Sequence, residues 1–249
     1  FDGDRDKLIE GLLYRGIGCV INAGADMKSS MAGIELANKY PHIYAAIGVH
    51  PHDAESMTDD DIQELERMAT YERVVAIGEI GLDYYYDNSP RDVQRKRFVD
   101  QIELANRTGL PIIVHNRDAH GDTLDIIRQN RHKIHGGVMH CYSGSVEIMK
   151  EFIDLGLYIS LGGPVTFKNA KKPVEVAREV PLERLLIETD CPYLTPHPFR
   201  GKRNDPGYVS LVAQKIAEIR GISVEEVART TFRNALDLFK IEYEREKLS

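Results

Sequence analysis

Seven short apolar runs recur along the chain, each bounded by polar or glycine-containing turns. The apolar positions within a run are continuous rather than alternating, which indicates parallel strands buried on both faces. The runs occupy residues 18–24, 43–50, 73–81, 110–115, 136–141, 157–163 and 184–190.

Amphipathic stretches with helical periodicity separate these runs, so the chain alternates strand and helix. The pattern predicts helices over residues 4–15, 29–40, 58–69, 91–107, 119–130, 145–155 and 169–179. Residues 208–247 predict two or three further helices packed outside the sheet. One of them begins at Ser223, with Glu226 at the position of a capping box.

Strand–helix alternation favours an α/β fold, the (β/α)8 TIM barrel, as one domain over residues 1–249. A closed barrel needs eight strands, and the pattern shows one fewer. Because the chain opens with a helix that no strand precedes, we predict that the first strand and its loop are missing from this sequence.

Composition narrows the class of protein. The hydrophobic fraction of 42% is typical of a globular protein, and no run approaches the roughly 18 apolar residues of a membrane span. Three cysteines without framework spacing favour a reducing, cytoplasmic setting. A net charge of −7 argues against sequence-blind coating of nucleic acid, although bound cations can supply local positive charge. Nothing in the sequence indicates an obligate protein partner.

Four polar residues stand where apolar runs end: Glu79, His115, His140 and Asp190. The carboxyl ends of parallel barrel strands meet at one face, where TIM barrels carry their chemistry. Carboxylates and imidazoles bind zinc, and carboxylates also bind harder divalent cations. The pattern therefore predicts a site for one or two divalent ions. Mixed imidazole and carboxylate ligands accept Mg²⁺, Mn²⁺ and Zn²⁺ and do not choose among them, and our first expectation is Mg²⁺.

Each residue has an expected role in that site. Glu79 lies between Gly78 and Gly81, which let the backbone pass close to a ligand, and its carboxylate can bridge two cations. His115 and His140 end adjacent strands about 4.8 Å apart, so both can reach one ion. Asp190 is expected to be both a ligand and the general base for metal-activated water.

Structural alternatives exist for all four residues. A lone strand-end glutamate is usually a solvated rim residue or a helix cap, and a lone histidine is usually hydrogen-bonded in the core or at the rim. Asp190 can form a turn before Pro192. The metal interpretation gains weight because the two histidines occupy equivalent positions on neighbouring strands.

Six motifs in order carry a family resemblance: G-V-H-P-H, G-E-I-G-L-D-Y-Y, V-H-N-R-D-A, H-C-Y-S-G, E-T-D-C-P-Y-L and P-F-R-G-K-R-N-D-P. Over the whole chain they resemble the TatD family of metal-dependent deoxyribonucleases. The resemblance implies a TIM barrel that cleaves DNA phosphodiesters with one or two divalent cations. It implies that Glu79 is the bridging carboxylate, that His115 and His140 hold one metal, and that Asp190 serves the other metal and is the base.

The family also carries an H-x-H pair at the end of its first strand, which this sequence lacks. The number of apolar runs also predicts that this first strand is missing, so both lines of reasoning agree. One metal site is then nearly whole, and the other retains only Glu79 and Asp190.

Substrate contacts are expected from residues near these strand ends. His50 and His52 flank Pro51 and are candidates to donate hydrogen bonds to a phosphate, or to support the ligands. Arg200, Lys202 and Arg203 form a basic loop after the Asp190 strand that can hold phosphate. Tyr84 and the two tyrosines after it can stack on bases. Each of these groups has an equal structural alternative as rim, solvated surface or packing. The six candidates are His50, His52, Tyr84, Arg200, Lys202 and Arg203.

The leading hypothesis is a hydrolase that cleaves phosphodiester bonds of DNA, with RNA as the alternative substrate. That it acts as an exonuclease rests on the resemblance alone. An amidohydrolase acting on an amide, ester or lactone is the main alternative. Glu79 occupies the place where many such enzymes have a carbamylated lysine, which favours the phosphodiesterase. A barrel with a degenerate site that only binds a partner is the third hypothesis.

Overall fold

Parallel strands and helices alternate along the chain in the computed structural model, which describes residues 1–243. The strands are β1 (Val20–Ala23), β2 (Ile43–Ile47), β3 (Val74–Asp83), β4 (Ile112–Arg117), β5 (Gly137–Met139), β6 (Tyr158–Leu161) and β7 (Leu185–Ile187). The helices are α1 (Arg5–Leu12), α2 (Met27–Lys39), α3 (Asp59–Met68), α4 (Arg91–Thr108), α5 (His120–Gln129), α6 (Val146–Asp154), α7 (Lys171–Glu179), α8 (Val209–Arg220) and α9 (Val224–Phe239). Every strand and helix predicted within residues 1–243 is present, with shifts of a few residues at the ends. Residues 244–247 of the last predicted stretch lie outside the described residues.

The strands form one parallel sheet in the order β1-β2-β3-β4-β5-β6-β7. Each strand therefore pairs with its neighbours in sequence, and every connection returns through the helical side of the sheet. The structure confirms the α/β class and the parallel pairing. Strand β7 pairs with β6 and strand β1 pairs with β2, so these two strands are the edges of the described sheet.

Side-chain hydrogen bonds fix where several helices begin. Asp26 caps α2 and Thr58 caps α3, each in a reciprocal capping box with the residue three positions on. Ser223 accepts a hydrogen bond from the Glu226 backbone at the start of α9, which is the half of the predicted capping box that involves the serine. Within residues 1–243 no helix combines the length and the apolar character needed to cross a membrane.

Apolar side chains cover both faces of the sheet, as continuous apolar strands require. On one face, strand residues such as Ile47, Ile77 and Val114 pack with buried residues of the surrounding helices, such as Leu65 and Ile102. The opposite face has its own smaller cluster, made by Ala46, Val75, Ala76, Ile113, Val138, Leu186, Leu238, Phe239 and Ile241.

The last helix departs from the sequence prediction. Helix α8 packs beside α7, as expected of an outer helix. The end of α9 instead brings Leu238 and Phe239 against the opposite face of the sheet. Asn234 anchors it, because its Nδ2 donates to the carbonyls of Leu182 and Leu185 at 2.8 Å each, where β7 begins. This helix therefore covers the amino end of the strands.

The three cysteines are free thiols. Burial raises the pKa of the Cys19 thiol to about 11 and raises the pKa of the Cys141 thiol well above its ordinary value. Because the thiolate is the reactive form, both groups are suited to packing rather than to nucleophilic chemistry.

Candidate metal centre

Strand β3 delivers Glu79 to the carboxyl end of the sheet through an unusually close approach to β4. A Cβ on Gly81 would lie 2.0 Å from the His115 carbonyl oxygen, and one on Gly78 would lie 2.5 Å from Ile113 Cβ. The glycines around Glu79 are therefore required by the neighbouring strand, whereas the sequence suggested that they make room for a ligand. The pairing register shifts between Ile77 and Ile80, at this same point of β3.

The Glu79 carboxylate faces three imidazoles. Its Oε1 lies 2.8 Å from His115 Nδ1, 3.6 Å from His140 Nε2 and 3.7 Å from His50 Nε2. These histidines come from the ends of three different strands, β2, β4 and β5. Among the described residues, His50, Glu79 and His115 form a group whose potential ligand atoms all lie within 4.8 Å of one another.

Asp83, which sequence reasoning missed, anchors a second layer of contacts. Its Oδ2 lies 3.0 Å from both His115 Nε2 and His52 Nε2, and the side chain is 1% exposed. Its Oδ1 accepts hydrogen bonds from the backbone N–H groups of Tyr85 and Tyr86 at 3.0 and 2.8 Å. The signal was available, because residues four apart on a strand face the same side, which places Asp83 with Glu79.

Glu188, the second missed residue, positions His140. His140 Nδ1 lies 2.9 Å from Glu188 Oε2, while its Nε2 lies 3.6 Å from Asp190 Oδ1. Glu188 follows β7 directly, two residues before Asp190. Its other carboxylate oxygen, Oε1, is buried and has no hydrogen-bond partner among the described residues.

Carboxylates and imidazoles of the cluster stabilise each other's charged forms. Burial opposes ionisation of Glu79, but the His140 charge and the His115 hydrogen bond hold the pKa of its carboxyl below the ordinary value. Burial also opposes ionisation of Glu188, and again His140 lowers the pKa of that carboxyl. Burial disfavours the charged form of His140, yet Glu188 and Glu79 raise its pKa well above that of a free imidazole.

The two other imidazoles differ sharply. Burial, followed by the His115 charge, lowers the pKa of His50 to about 3, so His50 is neutral, and its Nδ1 accepts a hydrogen bond from the His52 backbone N–H at 3.2 Å. Burial is outweighed at His115, where hydrogen bonds to Asp83 and Glu79 raise the pKa. His115 is thus held between two carboxylates, with both ring nitrogens engaged.

This donor set fits a divalent cation. His50, Glu79 and His115 supply two imidazoles and a carboxylate, a combination typical of zinc and related ions. With Asp83, Glu188, Asp190, His52 and His140 included, the cluster holds four carboxylates and four imidazoles, and His50 is neutral. Glu188 Oε1 is buried without a partner among residues 1–243. A cation would supply the positive charge that such a buried group of acids requires.

All four sequence-predicted ligands lie at this cluster: Glu79 contacts His115 and His140, and His140 contacts Asp190. His50, which was a candidate for phosphate contact, also lies next to Glu79 and His115. His52 lies beside the cluster through Asp83.

The remaining substrate candidates are engaged elsewhere. The Tyr84 hydroxyl donates to Asp122 Oδ2 at 2.5 Å, and Arg203 forms a two-point ion pair with Asp4 at 2.9 and 2.5 Å. Arg200 lies over the Phe167 ring, 3.9 Å from its centroid, and Lys202 lies 5.8 Å from the Phe199 centroid. Arg203 is therefore paired with an acid, and a phosphate-binding role for the basic loop stays a prediction. The contacts of Tyr84, Arg200 and Arg203 could not be foreseen, because their partners are distant along the chain.

A parallel α/β sheet that gathers histidines and carboxylates at its strand ends defines a candidate metal-dependent hydrolase. Comparison with known families gives the particular group. The family model for TatD related DNase matches residues 1–240, and the chain belongs to this family of metal-dependent hydrolases.

Its relatives match nearly end to end. The chain is 48% identical over 241 residues to the uncharacterized metal-dependent hydrolase YabD of Bacillus subtilis, covering 97% of this chain and 94% of that protein. It is 34% identical to the 3′-5′ ssDNA/RNA exonuclease TatD of Escherichia fergusonii, covering 98% of this chain and 95% of that protein. The crystal structure of YjjV, a TatD homologue from Escherichia coli, superimposes with a TM-score of 0.91 at 31% identity, covering 97% of this chain and 94% of that chain.

Proposed function

We propose that this chain is a one-domain, divalent-metal-dependent nuclease that cleaves phosphodiester bonds of single-stranded DNA, or of RNA, from an end. The observation that carries the proposal is the Glu79 carboxylate enclosed by His50, His115 and His140 at the carboxyl end of the sheet. Membership in the TatD family supports hydrolysis. Relatives named as 3′-5′ ssDNA/RNA exonucleases support the substrate class and the exonucleolytic mode.

His50, Glu79 and His115 would hold one cation, and Glu79, His140 and Asp190 would complete the site if a second is bound. When bound, such a cation lowers the pKa of a coordinated water and neutralises phosphate charge. Two carboxylates of the chain orient the histidine ligands. Asp83 orients His115, and Glu188 orients His140, as carboxylates behind ligating histidines do.

Asp190 is the proposed general base. Its side chain is 33% exposed, against 15% for Glu79, so it can accept a proton from an attacking water and return it to solvent. Glu79 is surrounded by imidazoles and is better placed to hold charge than to shuttle protons.

The decisive experiment is digestion of single-stranded DNA labelled at its 3′ or 5′ end, with Mg²⁺, Mn²⁺, Zn²⁺ or EDTA. We expect metal-dependent shortening that EDTA stops, and the label lost first gives the polarity. Glu79→Gln should reduce the rate by at least about 100-fold, because a neutral amide cannot hold the charge that Glu79 supplies. Glu218→Gln, a matched change at a side chain that is 71% exposed, should leave the rate unchanged.

Two further arms complete the design. The eighth strand remains a prediction, so the assay includes the chain extended at its amino end by a strand that carries an H-x-H pair. If folded protein cleaves no DNA or RNA in either form, a panel of amides, esters and lactones tests the amidohydrolase. Failure of that panel too would leave the degenerate site.

A further inference from the structure

Two exposed tyrosines project from the end of β3 beside the metal centre. Tyr85 is 58% exposed and Tyr86 is 54% exposed, and their rings meet edge to face with centroids 4.9 Å apart. The Arg117 guanidinium, from the end of β4, lies 4.1 Å from the Tyr85 centroid and 4.8 Å from that of Tyr86. We call Tyr85, Tyr86 and Arg117 the tyrosine platform.

The platform is attached to the metal centre through one carboxylate. Asp83 Oδ1 accepts both backbone N–H groups of the tyrosines, while Asp83 Oδ2 contacts His52 and His115. The Tyr86 ring also lies 5.2 Å from the His52 ring, edge to face. A ligand on the platform would therefore lie directly next to the cluster around Glu79.

The tyrosine platform differs from the neighbouring aromatic and basic side chains, which are paired with acids. The Tyr84 hydroxyl is bound to Asp122, and the Arg91 guanidinium covers its ring at 4.3 Å. Arg91 is paired with Asp87, and Arg95 with Asp122. Within residues 1–243 Arg117 forms no ion pair with an acid, and it lies, exposed, over the two tyrosine rings.

We propose that the tyrosine platform binds an unpaired nucleobase of single-stranded nucleic acid, with Arg117 facing the adjoining phosphate. The identity of the occupant rests on the proposed nuclease function. Aromatic rings bind any base by stacking, and an arginine nearby adds cation–π and phosphate contacts. Because bases inside a duplex present no free face, the platform favours single strands and frayed ends.

Binding by matched oligonucleotides tests this directly. A short, labelled oligothymidylate is compared with an abasic oligonucleotide of the same length, both with phosphorothioate linkages to slow cleavage, by fluorescence anisotropy in Mg²⁺. Wild-type protein should bind the base-bearing strand about 5- to 150-fold more tightly, the range for stacking of a single base. The double variant Tyr85→Ala, Tyr86→Ala should lose most of that preference.

Two matched variants control for indirect effects. The double variant Tyr85→Phe, Tyr86→Phe keeps the rings and should keep the preference. Tyr71→Ala removes a tyrosine that is 45% exposed at the opposite, amino end of β3 and should also keep it. Retention of the preference in the alanine double variant, absence of a preference in the wild type, or failure to bind either strand would each overturn the platform.

Arg117→Met separates the phosphate contact from stacking. It should weaken binding of the base-bearing and abasic strands by similar factors, because both carry the same backbone charge. Loss confined to the base-bearing strand would refute the phosphate role.

Hydrolysis by the same preparations distinguishes this proposal from the nuclease function. Metal-dependent cleavage without a base preference would leave the nuclease standing and remove the platform. A base preference without cleavage under any metal would do the reverse.

Discussion

Asp83 joins more of the candidate site than any residue identified from sequence. Its buried carboxylate holds His115 and His52 with one oxygen and the Tyr85–Tyr86 turn with the other. It therefore acts as a positioning residue, one step behind the atoms that would meet a cation.

Replacing Asp83 with asparagine should weaken metal binding about 10- to 100-fold, the usual cost of losing an outer partner of a ligating histidine. The amide oxygen can still accept the tyrosine N–H groups, so the turn should persist. Isothermal titration with Mn²⁺ or Zn²⁺ measures the affinity. Asp125→Asn, at a side chain that is 63% exposed, is the matched control, and equal affinities in the two variants would contradict the role.

Metal affinity should rise with pH because protons compete for the same imidazoles. The pKa of His115 and that of His140 are both raised above the ordinary value by the adjoining carboxylates. Below those raised pKa values the rings are protonated and lack a free lone pair, so the affinity should increase as pH rises through them and then level off. Titrations in buffers with different ionisation enthalpies should show proton release on binding.

His140→Asn should reduce both the number of protons released and the steepness of the pH dependence. His135→Asn, at an exposed position, should change neither. Affinity that is independent of pH in the wild type would show that these imidazoles are neutral before metal binds.

Among the elements, the β3–β4 pair imposes the strictest packing requirement. Gly81 has φ +142°, a backbone conformation that other residues rarely adopt, and its missing side chain leaves room for the His115 carbonyl. Gly81→Ala should destabilise the protein by at least about 2 kcal/mol, through combined backbone strain and overpacking. Urea unfolding measures the free energy of unfolding.

Gly121→Ala is the matched control, because Gly121 lies in α5 with nothing within 4 Å of an added Cβ. Its stability should stay within about 1 kcal/mol of the wild type, on the stabilising side, since alanine favours helix over glycine. Equal stability of the two variants would mean that β3 and β4 separate at little cost.

The elements were predictable from sequence to the extent that burial alone determines them. Continuous apolar runs gave all the strands in residues 1–243, because both faces of a parallel strand are covered. The end of α9 was not predictable in place, since Leu238 and Phe239 suit an outer helix and the opposite face of the sheet equally well. Their location depends on Asn234 meeting two carbonyls near β7, a contact across the sequence.

The candidate site, too, was only partly predictable from the sequence. Glu79, His115, His140 and Asp190 were found because each ends an apolar run. Strand alternation could have placed Asp83 beside Glu79, but the hydrogen bonds of Asp83 and of Glu188, which follows β7, are not visible in a pattern of apolar runs. Arg203 and Tyr84 looked available because Asp4 and Asp122, their partners, are distant in sequence.

The whole molecule separates chemistry from stability along the strand direction. The cluster around Glu79 lies at the carboxyl ends of the strands, and the end of α9 covers their amino ends, as in TIM-barrel enzymes. Asn234→Ala removes both hydrogen bonds to Leu182 and Leu185 and leaves those buried carbonyls short of a donor. The free energy of unfolding should fall by about 1–3 kcal/mol.

Metal affinity in the folded Asn234→Ala protein should match that of the wild type, because within residues 1–243 no hydrogen bond or ion pair of the cluster involves α9. Asn38→Ala, at an exposed position of α2, should change stability by no more than about 0.5 kcal/mol. Urea unfolding and metal titration on the same samples give both quantities. A parallel loss of stability and metal affinity in Asn234→Ala would show that the two ends of the sheet are coupled, and that α9 supports the site as well as the fold.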